Sequence, residues 1–169
     1  QHIYVGYFGR PADAGGLAFF AQHLSNLGAP TNIVDLDAAY RSNSDVRAMI
    51  DGFGTSAESQ ALYAGDNNAF VDALYRNLFS RPAEAGGKAY WVNAIDKGLV
   101  TRASAAVQIM AGSLTSDRDV INKKIAVAGD FTTSLNSAER QASYSGLAAN
   151  VIVRDLLGTV TLGTDTAAF

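Results

Sequence analysis

Apolar residues recur along this chain at spacings of three, four and five, the signature of amphipathic helices rather than of strands. The clearest case is Phe70, Val71, Leu74, Tyr75, Leu78 and Phe79, which fall at i, i+1, i+4, i+5, i+8 and i+9 and make one stripe. Asn67 or Asn68 can cap that helix, and Pro82 pushes Arg81 out of the helical region, so the spacing predicts an end near Phe79 or Ser80. Helix is also predicted for Asn32 to Tyr40, Asp45 to Ile50, Thr101 to Met110 and Ser116 to Ala128. Thr55-Ser56-Ala57-Glu58 reads as a capping box, and Gly52-Phe53-Gly54 before it as a helix stop. Ser137-Ala138-Glu139-Arg140 opens one amphipathic helix over 137–157, closed by Gly158. The β-branched tail 159–169 reads as a short strand or a linker to a following module.

The pattern repeats itself. Ile3 to Leu24 reads IYVGYFGRPADAGGLAFFAQHL and Leu74 to Ile95 reads LYRNLFSRPAEAGGKAYWVNAI, 71 residues later. Tyr4 matches Tyr75, Arg10-Pro11-Ala12 matches Arg81-Pro82-Ala83, Asp13 exchanges with Glu84, and Phe19-Phe20 matches Tyr90-Trp91. Each copy has the chemistry of helix, tight turn and helix, with a Gly pair expected to supply backbone angles closed to other residues. Tyr90, Trp91, Ala94 and Ile95 are expected to face inward, with Gly98 ending the helix. The expected architecture is therefore all-α, a multi-helix orthogonal bundle holding two pseudo-repeats of a helix-turn-helix unit. One domain is expected over 1–158, with copies at about 1–60 and 61–128. The chain opens inside a helical pattern at Gln1-His2-Ile3-Tyr4, so it is expected to be a piece of something longer.

Composition narrows the chemistry. Charged residues are only 17% of the 169, below the roughly 25% usual for soluble domains, so Ser, Thr, Asn and Gln must carry much of the polar surface. Net charge is −3 and no Lys/Arg stripe exists to neutralise a phosphate backbone, which argues against nucleic acid as partner. No 18-residue apolar run is present, so no membrane insertion is expected. With no cysteine, disulfides and thiolate metal sites are excluded.

Catalytic constellations are missing. His2 and His23 are in no paired ligand spacing, and there is no GxSxG elbow, no GxxxxGK[ST] loop and no strand followed by GxGxxG, so no enzyme is expected. The pairs Asp35/Asp37 and Asp117/Asp119 lie near helix beginnings, where they complement the macrodipole. Phe8, Phe20, Phe79 and Trp91 are expected to form the core where the helix pairs meet. Tyr4, Tyr7, Tyr63, Tyr75 and Tyr90 could instead present a ring to a sugar face with the hydroxyl in water. Arg10 with Asp13, and Arg81 with Glu84, sit three apart across the turn. They suit an ion pair within the turn or carboxylate contacts to free helix N–H groups. The functional alternative gives Asp13 and Glu84 to sugar hydroxyls or to calcium, although one carboxylate per turn falls short of the six to eight oxygens that calcium takes.

The segments YFGRPADAGGLAFFAQHL and LYRNLFSRPAEAGGKAYWVNAI, with FGTSAESQALYAG between them, resemble the DUF4214 family over residues 1–112. That family is a helical repeat of large bacterial extracellular proteins, among them surface-layer and RTX-type proteins exported by type I secretion. The resemblance implies an extracellular location at a bacterial cell surface and a non-catalytic module binding surface polysaccharide, in particular lipopolysaccharide O-antigen sugars, in a calcium-rich setting. The ligand-binding candidates are then Tyr4, Arg10, Asp13, Tyr75, Arg81, Glu84 and Tyr90. The alternative is a structural or protein-interaction module that self-associates in a lattice. In the second copy Gly9 becomes Ser80 and Leu17 becomes Lys88, so turn geometry or surface chemistry is expected to differ there.

Overall fold

Side chains ahead of most helices accept the first free backbone N–H groups, and the helices start where those acceptors stand. The computed structural model describes residues 1–168. Among them are α1 (His2–Phe8), α2 (Ala14–Asn26), α3 (Ile33–Ser42), α4 (Ser44–Gly54), α5 (Ala57–Leu62) and α6 (Asn67–Phe79). They continue with α7 (Ala85–Asp96), α8 (Arg102–Gly112), α9 (Thr115–Ser134), α10 (Ala138–Ser143) and α11 (Gly146–Gly158), and close on a 3-10 turn at Thr166–Ala168. No strand occurs among the described residues, so the all-α expectation holds.

Several local expectations shift by a residue or change their cause. Asp66, not Asn67 or Asn68, caps α6 by accepting from Ala69 N, and Ser56, not Thr55, caps α5. Glu58, free of any capping box, reaches across to Arg10. Residues 137–157 do not form one helix. α10 ends at Ser143, Tyr144 and the extended Ser145 leave the helical region, and Gly146 at φ +85° opens α11. The segment after α11 holds no strand among the described residues, and its start packs on the body: Val160 is fully buried with Val5, Val127 and Leu157, and Ser80 Oγ donates to its carbonyl at 2.6 Å. Lys123 Nζ donates to the Thr164 carbonyl further along.

α1 lies at the centre. Six of its seven residues are buried, and it packs against α4, α5, α6, α8 and α9. Each large apolar side chain so buried stabilises the fold by roughly 1.5–3 kcal/mol, which is why a helix too short to be stable alone persists here. Its backbone and side chains are tied to distant elements. Tyr7 Oη donates to the Ala103 carbonyl of α8 at 2.6 Å, and Tyr63 Oη donates to the Gly6 carbonyl at 2.6 Å. Arg154 of α11 donates to the Phe8 carbonyl at 2.8 Å. α4 and α8 approach closely at Gly54. A Cβ on Gly54 would lie 2.6 Å from that of Ala103, so this glycine leaves room for α8, and α4 ends on it, where Gly52-Phe53-Gly54 reads as a helix stop.

The expected aromatic core is present in part. Phe8 and Phe79 are buried, Phe20 and Trp91 are half-buried against it, and Phe53 completes a cluster with Tyr4, Phe8 and Phe20. Tyr90 departs from the expected inward face of α7: it is 64% exposed, although Ala94 is buried and Gly98 ends the helix region at φ +66° as expected.

Candidate functional site

The two Arg-Pro turns share a local geometry. α1 ends on Gly9 at φ 64°, ψ 15°, and α6 on Ser80 at φ 56°, ψ 29°, both left-handed. These two residues reverse the chain. The diglycines do not, because they lie inside the first turns of α2 and α7. Gly16 instead leaves room for Tyr4, whose hydroxyl would sit 2.2 Å from a Cβ there. After each left-handed residue the arginine folds back over the helix it follows. The Arg10 guanidinium lies 5.3 Å from the Phe8 ring centroid and 5.4 Å from that of Tyr4, and Arg81 lies 5.7 Å from Phe79 and 5.5 Å from Tyr75. Each donates from Nη1 to the carbonyl of the next proline, at 3.1 Å to Pro11 and 2.9 Å to Pro82.

What surrounds the arginines differs. Arg10 is buried and makes no ion pair with Asp13, contrary to one of the two expected readings of that spacing. Its partner is Glu58 of α5, held at 2.7 and 2.9 Å, while Asp13 accepts from Gly16 N at 2.7 Å and caps α2. Tyr144, just past α10, closes the turn. Its hydroxyl donates to the Pro11 carbonyl at 2.7 Å and accepts from Arg10 Nη1 at 3.3 Å. Arg81 does pair within its turn, Nη1 to Glu84 at 2.7 Å, and it also grips Asp117 of α9 through Nε at 2.9 Å and Nη2 at 2.6 Å. No tyrosine closes this second turn. A cleft of about 470 Å³ opens there, walled by Tyr75, Trp91, Gln108 and Ile109, with Arg81, Glu84 and Asp117 at its polar side.

Electrostatically the cleft is rich in acceptors. Four acceptors occupy the Arg81 guanidinium, so it braces the two carboxylates and has little left to give a ligand. Glu84 is held below the usual carboxylate range by its own backbone amide and by Arg81. Burial pushes the Tyr75 phenol above its ordinary value. Thr115 lines the same cleft at φ +47°, a left-handed conformation costly for a β-branched residue.

Of the seven candidates from sequence, Tyr75, Arg81 and Glu84 converge on this cleft, and Tyr90 stands beside it, edge-on to Trp91 with ring centroids 5.1 Å apart. Tyr4 and Arg10 are buried at the closed turn, and Asp13 is spent as a cap. Tyr4, Tyr7, Tyr63 and Tyr75 are all buried, so none of these four presents an open ring as an exposed tyrosine would. Asp117, Gln108 and Trp91 were not legible as site residues. Asp117 does sit in the first turn of α9, as the macrodipole reading had it, but the 71-residue register puts Val46 opposite it, so its second partner has no counterpart in the first copy. Among the described residues no group of three or more His, Cys, Asp and Glu side chains could hold a metal ion.

A second cleft, about 390 Å³, runs between α1, α2, α3 and α4 and is walled mainly by Leu17, Phe20, Leu24, Met49 and Phe53. It offers hydrocarbon contact but few convergent polar groups to orient a ligand, so the Arg81 cleft is the better candidate. No helix among the described residues is long and apolar enough to cross a membrane.

No curated protein and no solved structure matches the chain. The resemblance read from sequence over 1–112 is narrower in the family comparison and leaves out the first Arg-Pro turn. Residues 48–114, from within α4 to the start of α9 and including the open Arg81 turn, match the model of the domain of unknown function DUF4214.

Proposed function

We propose that the chain is a non-catalytic module that holds a larger secreted bacterial protein to surface polysaccharide, a lipopolysaccharide O-antigen-like glycan, through the Arg81 cleft. The observation that carries this reading is the make-up of that cleft: the half-buried Trp91 lines it together with the polar groups of Gln108, Glu84 and Asp117. Sugars are bound in this way, apolar ring face on aromatic and hydroxyl rim on fixed hydrogen-bonding groups. The bacterial-surface setting rests on the likeness of the Arg-Pro-Ala turns to repeats of large extracellular proteins.

A glycosidase would also place two carboxyls in one cleft, but it needs one of them kept protonated as a general acid. Here both carboxylates are bonded to Arg81 and Glu84 is shifted the opposite way, which favours a binding role. The test is a glycan array together with titration of purified lipopolysaccharide, with and without calcium, on the wild-type chain and on Trp91→Ala. Weak binding that is lost in Trp91→Ala, with the helical spectrum retained, is expected. Silence on both array and titration overturns the proposal, and a calcium requirement would bring the cation into the reading.

A second reading, a structural module that associates with further copies of itself, is favoured by α11. Leu147, Val151, Ile152 and Leu156 leave an apolar stripe on its outer side, between 44% and 80% exposed. Light scattering over a concentration series separates the two readings, since lattice formation proceeds without sugar.

A further inference from the structure

We infer that the second cleft, beneath α2, is a binding site for one aliphatic chain of a small amphiphile, such as a fatty alcohol or a fatty acid, taken up from solution. It shares no lining residue with the Arg81 cleft, so the inference goes beyond the glycan reading without resting on it.

The first argument is the shape of the space and the chemistry of its wall. Leu17, Phe20, Ala21, Leu24 and Ser25 line it along one face of α2, over about 12 Å of helix. A volume of about 390 Å³ spread over at least that length leaves a section of at most about 33 Å², room for one hydrocarbon chain. An apolar cavity of roughly 150 Å³ already takes up benzene. From α3 and α4 come Ile33, Leu36, Met49, Ile50 and Phe53, and no Asp, Glu, Lys or Arg lines the cleft. The amide of Gln1 is spent on Ala12, Ala128 and Thr132, and His2, lowered to about 4 by burial, is uncharged at neutral pH. The exposed lining residues are Ala21, Ser25, Gly28 and Thr31, all small or hydroxyl-bearing, while the large apolar side chains stand inside. Such a rim offers a partner helix or a bilayer no large apolar side chain to bury, whereas the interior suits a chain that enters whole.

The second argument is the way α2 is held. None of its residues is buried, and it rests on the body through Leu17, Phe20 and Leu24. Its side-chain hydrogen bonds run from Gly16 to the Asp13 cap and from Gln22 to Asn26, so none among the described residues ties it to another helix. Its counterpart in the repeat, α7, packs closely along α6, whereas α2 packs closely along no other helix. α2 can therefore shift outward without breaking a hydrogen bond to the body, which opens a way in for the chain.

The experiment measures binding of a fatty-alcohol series, octanol to tetradecanol, by displacement of fluorescent parinaric acid from the wild-type chain, Ala21→Phe, Leu24→Trp and Trp91→Ala. The expected result is saturable binding that tightens about four-fold with each added methylene until the cleft is filled, and then levels off. Affinity should fall on the order of ten-fold in Ala21→Phe and Leu24→Trp, with the helical spectrum retained, and stay unchanged in Trp91→Ala. Should Leu24→Trp lose its helical spectrum, Ala21→Phe, at an exposed position, decides. No binding at any chain length overturns the inference, and so does binding that the two cleft variants leave unaltered. Binding without dependence on chain length, or seen only with phospholipid vesicles, overturns it as well. Each of these outcomes leaves the glycan reading to its own test on sugars.

Discussion

Tyr144 donates its hydroxyl to the carbonyl of Pro11 over 2.7 Å, so a residue late in the chain closes the turn near its start. Both ends of this bond are buried, and the Pro11 carbonyl keeps only the Arg10 Nη1 donor if the hydroxyl goes. Tyr144→Phe should lower stability by about 0.5–1.5 kcal/mol, read as a drop in the chemical-denaturation midpoint at unchanged m-value. A change within error would mean that the turn closes by ring packing alone.

The contact between Gly54 and Ala103 gives a sharper test. Gly54→Ala puts a methyl 2.6 Å from the Ala103 Cβ and 3.2 Å from the Tyr7 ring, and overpacking of this kind costs roughly 1–3 kcal/mol. Ala103→Gly should restore part of that loss in the double variant, whereas each single variant is destabilised. Additive losses in the double-mutant cycle would show that the helices separate rather than clash.

Lys124 of α9 is buried, with its ammonium donating to the Asn77 carbonyl at 2.5 Å, and burial lowers its pKa from 10.5 to about 8. Between pH 8 and 10.5 the unfolded chain holds the proton and the folded chain does not, so stability should rise with pH from about 8. The buried tyrosines limit the rise. Tyr4 and Tyr40 are pushed up to about 12 by burial, and above pH 10 their ionisation in the unfolded state removes stability. Lys124→Met should abolish the rise and add roughly 1–3 kcal/mol at neutral pH. Thermal unfolding across pH 7 to 10 checks both.

His2 sets the acid side. Burial first, then the adjacent terminal ammonium and Arg118, lowers its pKa from 6.5 to about 4. The unfolded state binds the proton first, so stability is full above pH 6.5 and is lost as pH falls towards 4. His2→Gln should flatten this limb of the pH profile. An unaltered profile would give the acid sensitivity to the carboxylate pairs.

The helices were legible because their stripes and caps are local. α3, α4, α8 and α9 fall where periodicity put them, within a few residues at most ends. The break between α10 and α11 was missed because the apolar spacing runs across it, while the backbone leaves the helix at Tyr144 and Ser145 and re-enters it at Gly146 with φ +85°. The candidate site was half legible. Arg81 and Glu84 announced themselves by repetition, whereas Arg10 and Tyr4 carry the same letters and are buried. What buries them is Glu58 and Tyr144, which lie 48 and 134 residues from Arg10, and no spacing rule reaches so far.

With α1 at its hub, the molecule has no seam at which to be divided. A strand of beads could be shortened by one bead, but here α1 is clasped by α6, α8 and α9 and by Arg154 near the end of the chain. Cutting between 60 and 61 would strand Tyr63 without the Gly6 carbonyl and Tyr7 without that of Ala103, so neither piece should hold its shape alone. Any grafting of the Arg81 cleft onto another scaffold must therefore carry the whole body with it.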